Sequence, residues 1–116
     1  MADTPFDRFA AFISEEYRAA DKAEKSGRIE RAWYHLERAH IVSQIRFGPH
    51  MHSHWKMLQL AVRLHDRREV VGQLFRLALA PLGNLTGRLP IGNTGRSNVS
   101  AFRKMQIPAD LERFVR

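Results

Sequence analysis

Apolar residues recur at helical spacing through roughly the first 82 positions and lose that period afterwards. Phe6, Phe9, Ala10, Ile13, Tyr17 and Ala20 make one stripe, which predicts a first amphipathic helix. Thr4 reads as its N-cap, Pro5 as its first helical residue and Asp7 as the acid of a capping box. Ser26-Gly27 ends it, since glycine takes the left-handed cap readily. A second helix is predicted over about 28–46, with Ile29, Ala32, Trp33, Leu36, Ala39 and Ser43 inward. Gly48-Pro49 reads as a break that folds a third helix, about 50–65, back on the second. Its expected core stripe is His54 or Trp55, Leu58, Ala61, Val62 and His65. Asp66-Arg67-Arg68-Glu69 has the D-x-x-E form of a capping box and opens a fourth helix. That helix runs through Val70, Val71, Leu74, Phe75 and Ala78 to Pro81 and Gly83. Gly72 in its middle costs about 1 kcal/mol relative to alanine. It signals either a close approach of backbone or ligand, or a tolerated accident.

These elements give an all-α fold of two stacked helical hairpins. A weak internal repeat agrees: the break and helix start at Arg28 recur at Arg67, an offset of 39 residues. Residues 32–39 are loosely similar to the second helix of a tetratricopeptide repeat, although the period is longer than usual. Two hairpins leave an open face. Either the C-terminal segment or a second subunit must cover it, so a homo-oligomer is one expectation.

Residues 83–107 cannot be a long helix, because glycine, proline and asparagine interrupt them throughout. Leu89, Ile91, Val99, Phe102, Met105 and Ile107 are spaced as anchors, which predicts an ordered, irregular wrap. Residues 108–116 then form a short closing helix or tail, with Pro108 in its first turn. The whole chain reads as one helical domain of 116 residues.

Composition narrows the chemistry. There is no cysteine, hence no disulfide, thiolate ligand or cysteine nucleophile. No apolar run reaches the roughly 18 residues of a membrane span. The N-terminal Met-Ala-Asp-Thr-Pro lacks the basic start of a signal peptide, so a cytoplasmic protein is expected. The formal net charge is +7. Arg88, Arg96, Arg103, Lys104, Arg113 and Arg116 against Asp110 and Glu112 place +4 of it beyond residue 85. Such an excess permits nucleic-acid binding. Without interleaved aromatics or a nucleic-acid signature, a solvated basic surface is the simpler reading. Gly92-Asn93-Thr94-Gly95, flanked by arginines, resembles an anion-cradling turn but lacks the strand, helix and lysine of a phosphate loop.

The candidate chemistry lies between His35 and His54, which hold five of the six histidines. Glu37 and His40 are spaced i,i+3 and His50 and His54 i,i+4, so each pair shares a helix face. His40 lies beside the apolar stripe of its helix, whereas His35 and His52 turn elsewhere. If the two faces meet, Glu37, His40, His50 and His54 converge, with Glu69 as a further candidate ligand. Glu-x-x-His projecting inward is the unit of carboxylate-bridged metal sites, usually in duplicate. The expected cofactor is a transition metal on nitrogen and oxygen donors: zinc, iron or manganese first, copper or nickel next. Four ligands would close a structural site; three would leave a position for water or substrate. Gln44, Gln73, Arg76, Arg88, Asn93 and Arg96 are the groups expected to orient ligands or a substrate. The competing reading is a metal-free helical interaction module. In it, His40 is a hydrogen-bonded core histidine, Glu69 a capping partner of Asp66, and the methionines core filler.

Taken together, Glu37-Arg38-Ala39-His40, Gln44, His50 with His54, Glu69-Val70-Val71-Gly72-Gln73 and Gly92-Asn93-Thr94-Gly95-Arg96-Ser97-Asn98-Val99 resemble a family of small bacterial proteins catalogued as a domain of unknown function. The likeness covers about residues 9–111. It implies no activity of its own. Its association with metal-resistance or metal-responsive genes leans the expectation toward metal.

Overall fold

The computed structural model describes residues 4–115. The Met1-Ala2-Asp3 part of the N-terminal reading and Arg116 of the closing element lie outside the described residues. Helices α1 (Pro5–Lys25), α2 (Ile29–Ser43), α3 (Phe47–Arg63) and α4 (Arg67–Thr86) account for most of the chain. A 3-10 turn (Ala109–Leu111) leads into the short α5 (Glu112–Val115). No strand occurs among the described residues. None of their helices is long and apolar enough to cross a membrane. The hairpins are α1 with α2 and α3 with α4, joined face to face where α2 meets α3.

Local chemistry sets the ends. The Thr4 hydroxyl accepts the Asp7 N–H at 3.0 Å, and the Asp7 carboxylate accepts the Thr4 N–H at 3.1 Å, completing the capping box. The Asp66 side chain likewise accepts the Glu69 N–H. The Glu69 carboxylate, however, turns inward to the wrap and is not the reciprocal partner. Two boundaries differ from expectation. Gly48-Pro49 lies inside the first turn of α3, and the reversal occurs at residues 44–46. Proline is tolerated there because a first-turn N–H has no helical partner to lose. Pro81 and Gly83 do not end α4, which continues to Thr86 and closes on Gly87. The irregular wrap therefore starts about four residues later than its composition suggests.

The core has two parts. Ala20, Ala23, Trp33, Leu36, Met57, Leu60 and Ala61 pack where α1, α2 and α3 meet. Phe9, Ile41, Val42 and Leu111 form the second, against Phe12 and Phe114, whose rings stack at 4.4 Å. The closing element is thus held by its own apolar anchor. Trp55 and Val62, placed inside by the sequence pattern, are half exposed, and His65 leaves α3 with φ 56°. Met57 and Leu60 take the inward positions instead. Between α1 and α2, buried Glu16 accepts from Arg38 at 2.9 Å and meets His35 at 2.5 Å. His35 is therefore an inter-helix tie, turned away from His40.

Residues 87–108 run across α2 and α4 as an ordered strap. The Asn93 amide donates to the Ser100 and Arg103 carbonyls, both at 2.8 Å, and its side-chain oxygen accepts the Gly95 N–H. Gly72 has its explanation here. A Cβ on it would stand 1.7 Å from Ser97 Oγ, so the mid-helix glycine is the groove in which the strap lies.

Candidate metal centre

His40 on α2 and His50 and His54 on α3 are all buried, each about 3% exposed or less. Their ring centroids are 5.1, 4.6 and 4.9 Å apart. One nitrogen from each ring lies within 4.8 Å of the others, a group able to hold a metal ion. The i,i+4 spacing on α3 supplies two of them. The α2–α3 reversal brings in the third.

The hydrogen bonds fix which nitrogen faces inward. His40 Nδ1 stands 2.8 Å from the Asn93 carbonyl, which can only accept, so the proton is on Nδ1. His54 Nδ1 meets Gln73 Oε1 at 2.8 Å. The Gln73 amide cannot be reversed, because its nitrogen donates to the Glu69 carboxylate at 2.7 Å and the Gly95 carbonyl at 2.9 Å. His50 Nδ1 meets Asn84 Oδ1 at 2.7 Å, and the Asn84 nitrogen donates to the Gln44 carbonyl at 3.1 Å. All three imidazoles therefore carry Nδ1–H outward and leave the Nε2 lone pair free. The Nε2 atoms of His40 and His54 approach to 3.1 Å. Between two neutral rings of this tautomer, that contact opposes two lone pairs. Two nitrogens bound to one tetrahedral zinc would stand about 3.3 Å apart, so a cation there turns repulsion into bonding.

Burial keeps these rings neutral. It pushes His40 well below the ordinary histidine range, helped by the neighbouring His54 and His50. Burial likewise lowers His50, and it lowers His54 to about 3 despite the Gln73 hydrogen bond. A neutral imidazole is the form that binds metal.

The strap completes the setting. Gly95, with φ 87°, lies flat against His40, and a Cβ there would be 2.7 Å from the ring. The Gln44 amide donates to the Pro90 carbonyl at 2.9 Å. Arg76, also buried, donates to the carbonyls of Gly72, Arg96 and Val99. The two acids expected as ligands have other partners. Glu69 accepts from Gln73 and from the Ser97 N–H at 2.9 Å. Glu37, half-buried and with its carboxyl raised by burial, lies 3.5 Å from Arg96. Arg96 covers the Trp33 ring at 4.4 Å and also reaches Glu30. The metal-capable group among the described residues is His40, His50 and His54, without either acid. Asn84 was not singled out from sequence, because it falls where composition hides the last turn of α4.

The triad forms one wall of a cavity of about 280 Å³. Leu79, Ala80, Leu89, Pro90, Ala101 and Phe102 give it an apolar lining, and Arg76 and Arg88 are its charged members.

The family described as "Protein of unknown function (DUF3703)" matches residues 7–115. The chain belongs to this family. The DUF3703 match spans all four long helices, the strap and the closing element, so the triad and its hydrogen-bonding partners lie inside the family region. Comparison with curated proteins and with solved structures yields no match.

Proposed function

We propose that this chain binds one divalent transition metal through Nε2 of His40, His50 and His54, with the fourth coordination position open to the apolar cavity. The observation that carries the reading is the shared tautomer: three buried rings, each with Nδ1 engaged by an acceptor of fixed polarity. Metal-binding histidines characteristically donate the outer N–H in this way, which orients the ring and raises its basicity. Glu69 acts one step further out, holding Gln73 and through it His54. An all-imidazole set favours zinc, then copper(II) or nickel(II). Iron(II) and manganese(II) ordinarily take carboxylate oxygen as well, and Glu37 and Glu69 are engaged elsewhere.

Three protein ligands beside a cavity favour a site that works on a bound molecule over a closed structural one. When bound, zinc would supply Lewis-acid chemistry there. The test is elemental analysis of untagged protein with calorimetric titration of zinc, alongside His40→Ala and His54→Ala. One zinc per chain, lost in both variants, is expected. Wild-type protein without stoichiometric metal, and without thermal stabilisation by added zinc, contradicts the reading.

A second reading, a module that binds a protein or another copy of itself, takes support from α4. Val71, Leu74, Phe75, Leu82 and Leu85 present an exposed apolar row there. Sedimentation equilibrium checks it: self-association that Leu74→Glu abolishes supports the copy, and a monomer at all concentrations removes it.

A further inference from the structure

The cavity beside the triad has an unbalanced charge that specifies what it takes. Its three histidines are neutral ligands, so a divalent ion would keep its full double charge. Arg76 and Arg88 line the same space, and no aspartate or glutamate among the described residues does. Arg76 is 7% exposed, and its other N–H groups reach only carbonyl and hydroxyl oxygens. Its Nε–H has no acceptor at all. A buried donor on a cation, left unpaired, costs about 1–3 kcal/mol or more, so the Arg76 guanidinium that lines the cavity is short of acceptors. The rest of the lining is mostly apolar, with Thr86 and Asn93 as its other polar side chains. At about 280 Å³ the space takes a short hydrocarbon chain.

We propose that this cavity binds a small monocarboxylic acid with a hydrocarbon tail, its carboxylate at the open metal position beside Arg76 and its tail against Leu79, Ala80, Leu89 and Phe102. The proposal rests on the triad holding a metal. One oxygen of a carboxylate meets the metal and the other meets Arg76. Phosphate fits less well: it brings a second charge and more acceptor oxygens than the apolar walls can satisfy. A neutral alcohol brings no counter-charge to the metal.

The test is calorimetry on the full-length, zinc-loaded protein with acetate, butyrate, hexanoate and octanoate, and with hexan-1-ol and inorganic phosphate as controls. Zinc content is measured on the same samples. Hexanoate binds one per chain, at least tenfold more tightly than hexan-1-ol or phosphate. Affinity rises about three- to fourfold per added methylene until the cavity is full. Arg76→Gln weakens hexanoate about tenfold or more. Ala101→Trp, on the strap, removes the chain-length dependence while zinc stoichiometry stays at one per chain. Zinc-loaded protein that binds hexanoate no better than hexan-1-ol, or with a flat response to chain length, overturns the proposal and leaves the metal reading standing. Protein that takes up no zinc overturns both.

Discussion

At Asn84 the side chain holds a ring it never surrounds: its oxygen takes the His50 Nδ1–H while its nitrogen is spent on the Gln44 carbonyl. Gln73 does the same for His54, and the Asn93 carbonyl for His40. Losing one such partner frees the ring and its tautomer, an effect of about 10–100-fold in metal affinity. Asn84→Ala is therefore expected to bind zinc about 10–100-fold more weakly, at unchanged stoichiometry, by competition with a chelating dye. Unaltered affinity would show that His50 needs no external orientation. The imidazole positions were legible from sequence, because i,i+4 on one helix and one inward residue on its neighbour require convergence once the reversal is known. The direction of Glu37 was not. At the margin of its stripe it could turn to the triad or to solvent, and Arg96, distant in sequence, draws it away.

Between elements, the strap and α4 interlock at Gly72 and Ser97. Helix propensity alone makes Gly72→Ala stabilising by about 1 kcal/mol. Contact with Ser97 reverses the sign: the new Cβ would lie 1.7 Å from Oγ and 2.6 Å from Cβ of Ser97. Overpacking of that kind costs about 1–3 kcal/mol. Gly72→Ala is expected to lower the urea midpoint, and Gly72→Ala with Ser97→Gly to recover most of the loss. A stabilised single variant would mean that the strap does not rest in this groove. The four helices, the capping box at Thr4 and the anchored irregular segment could be read from pattern, since period and caps are local properties. Helix ends near proline could not. Pro49 is helical because a first-turn position loses no bond, and the turn after Pro81 is tied by the Asn84 hydrogen bonds to His50 and Gln44 and closed by the left-handed Gly87.

For the molecule as a whole, three buried neutral histidines link stability to pH. Each has a folded-state pKa below its unfolded value near 6.5. Below that value the unfolded chain binds more protons than the folded one, so stability is full above about pH 6.5 and is lost as pH falls. Metal-free protein is expected to have a lower urea midpoint at pH 5.0 than at pH 7.5. An equal or higher midpoint at the lower pH would mean that the rings accept protons in place. Zinc acts in the opposite direction. At a hundredfold excess over its dissociation constant it adds about 2.7 kcal/mol, or about 10 °C in Tm for a domain of this size.

The most direct measurement is zinc-edge X-ray absorption on the purified, zinc-loaded chain. The expected shell is three imidazole nitrogens and one exchangeable oxygen ligand at about 2.0–2.1 Å, with one nitrogen lost in His50→Ala. A shell of oxygen atoms alone, or a spectrum indifferent to His40, His50 and His54, would contradict the convergence of these three rings on one ion.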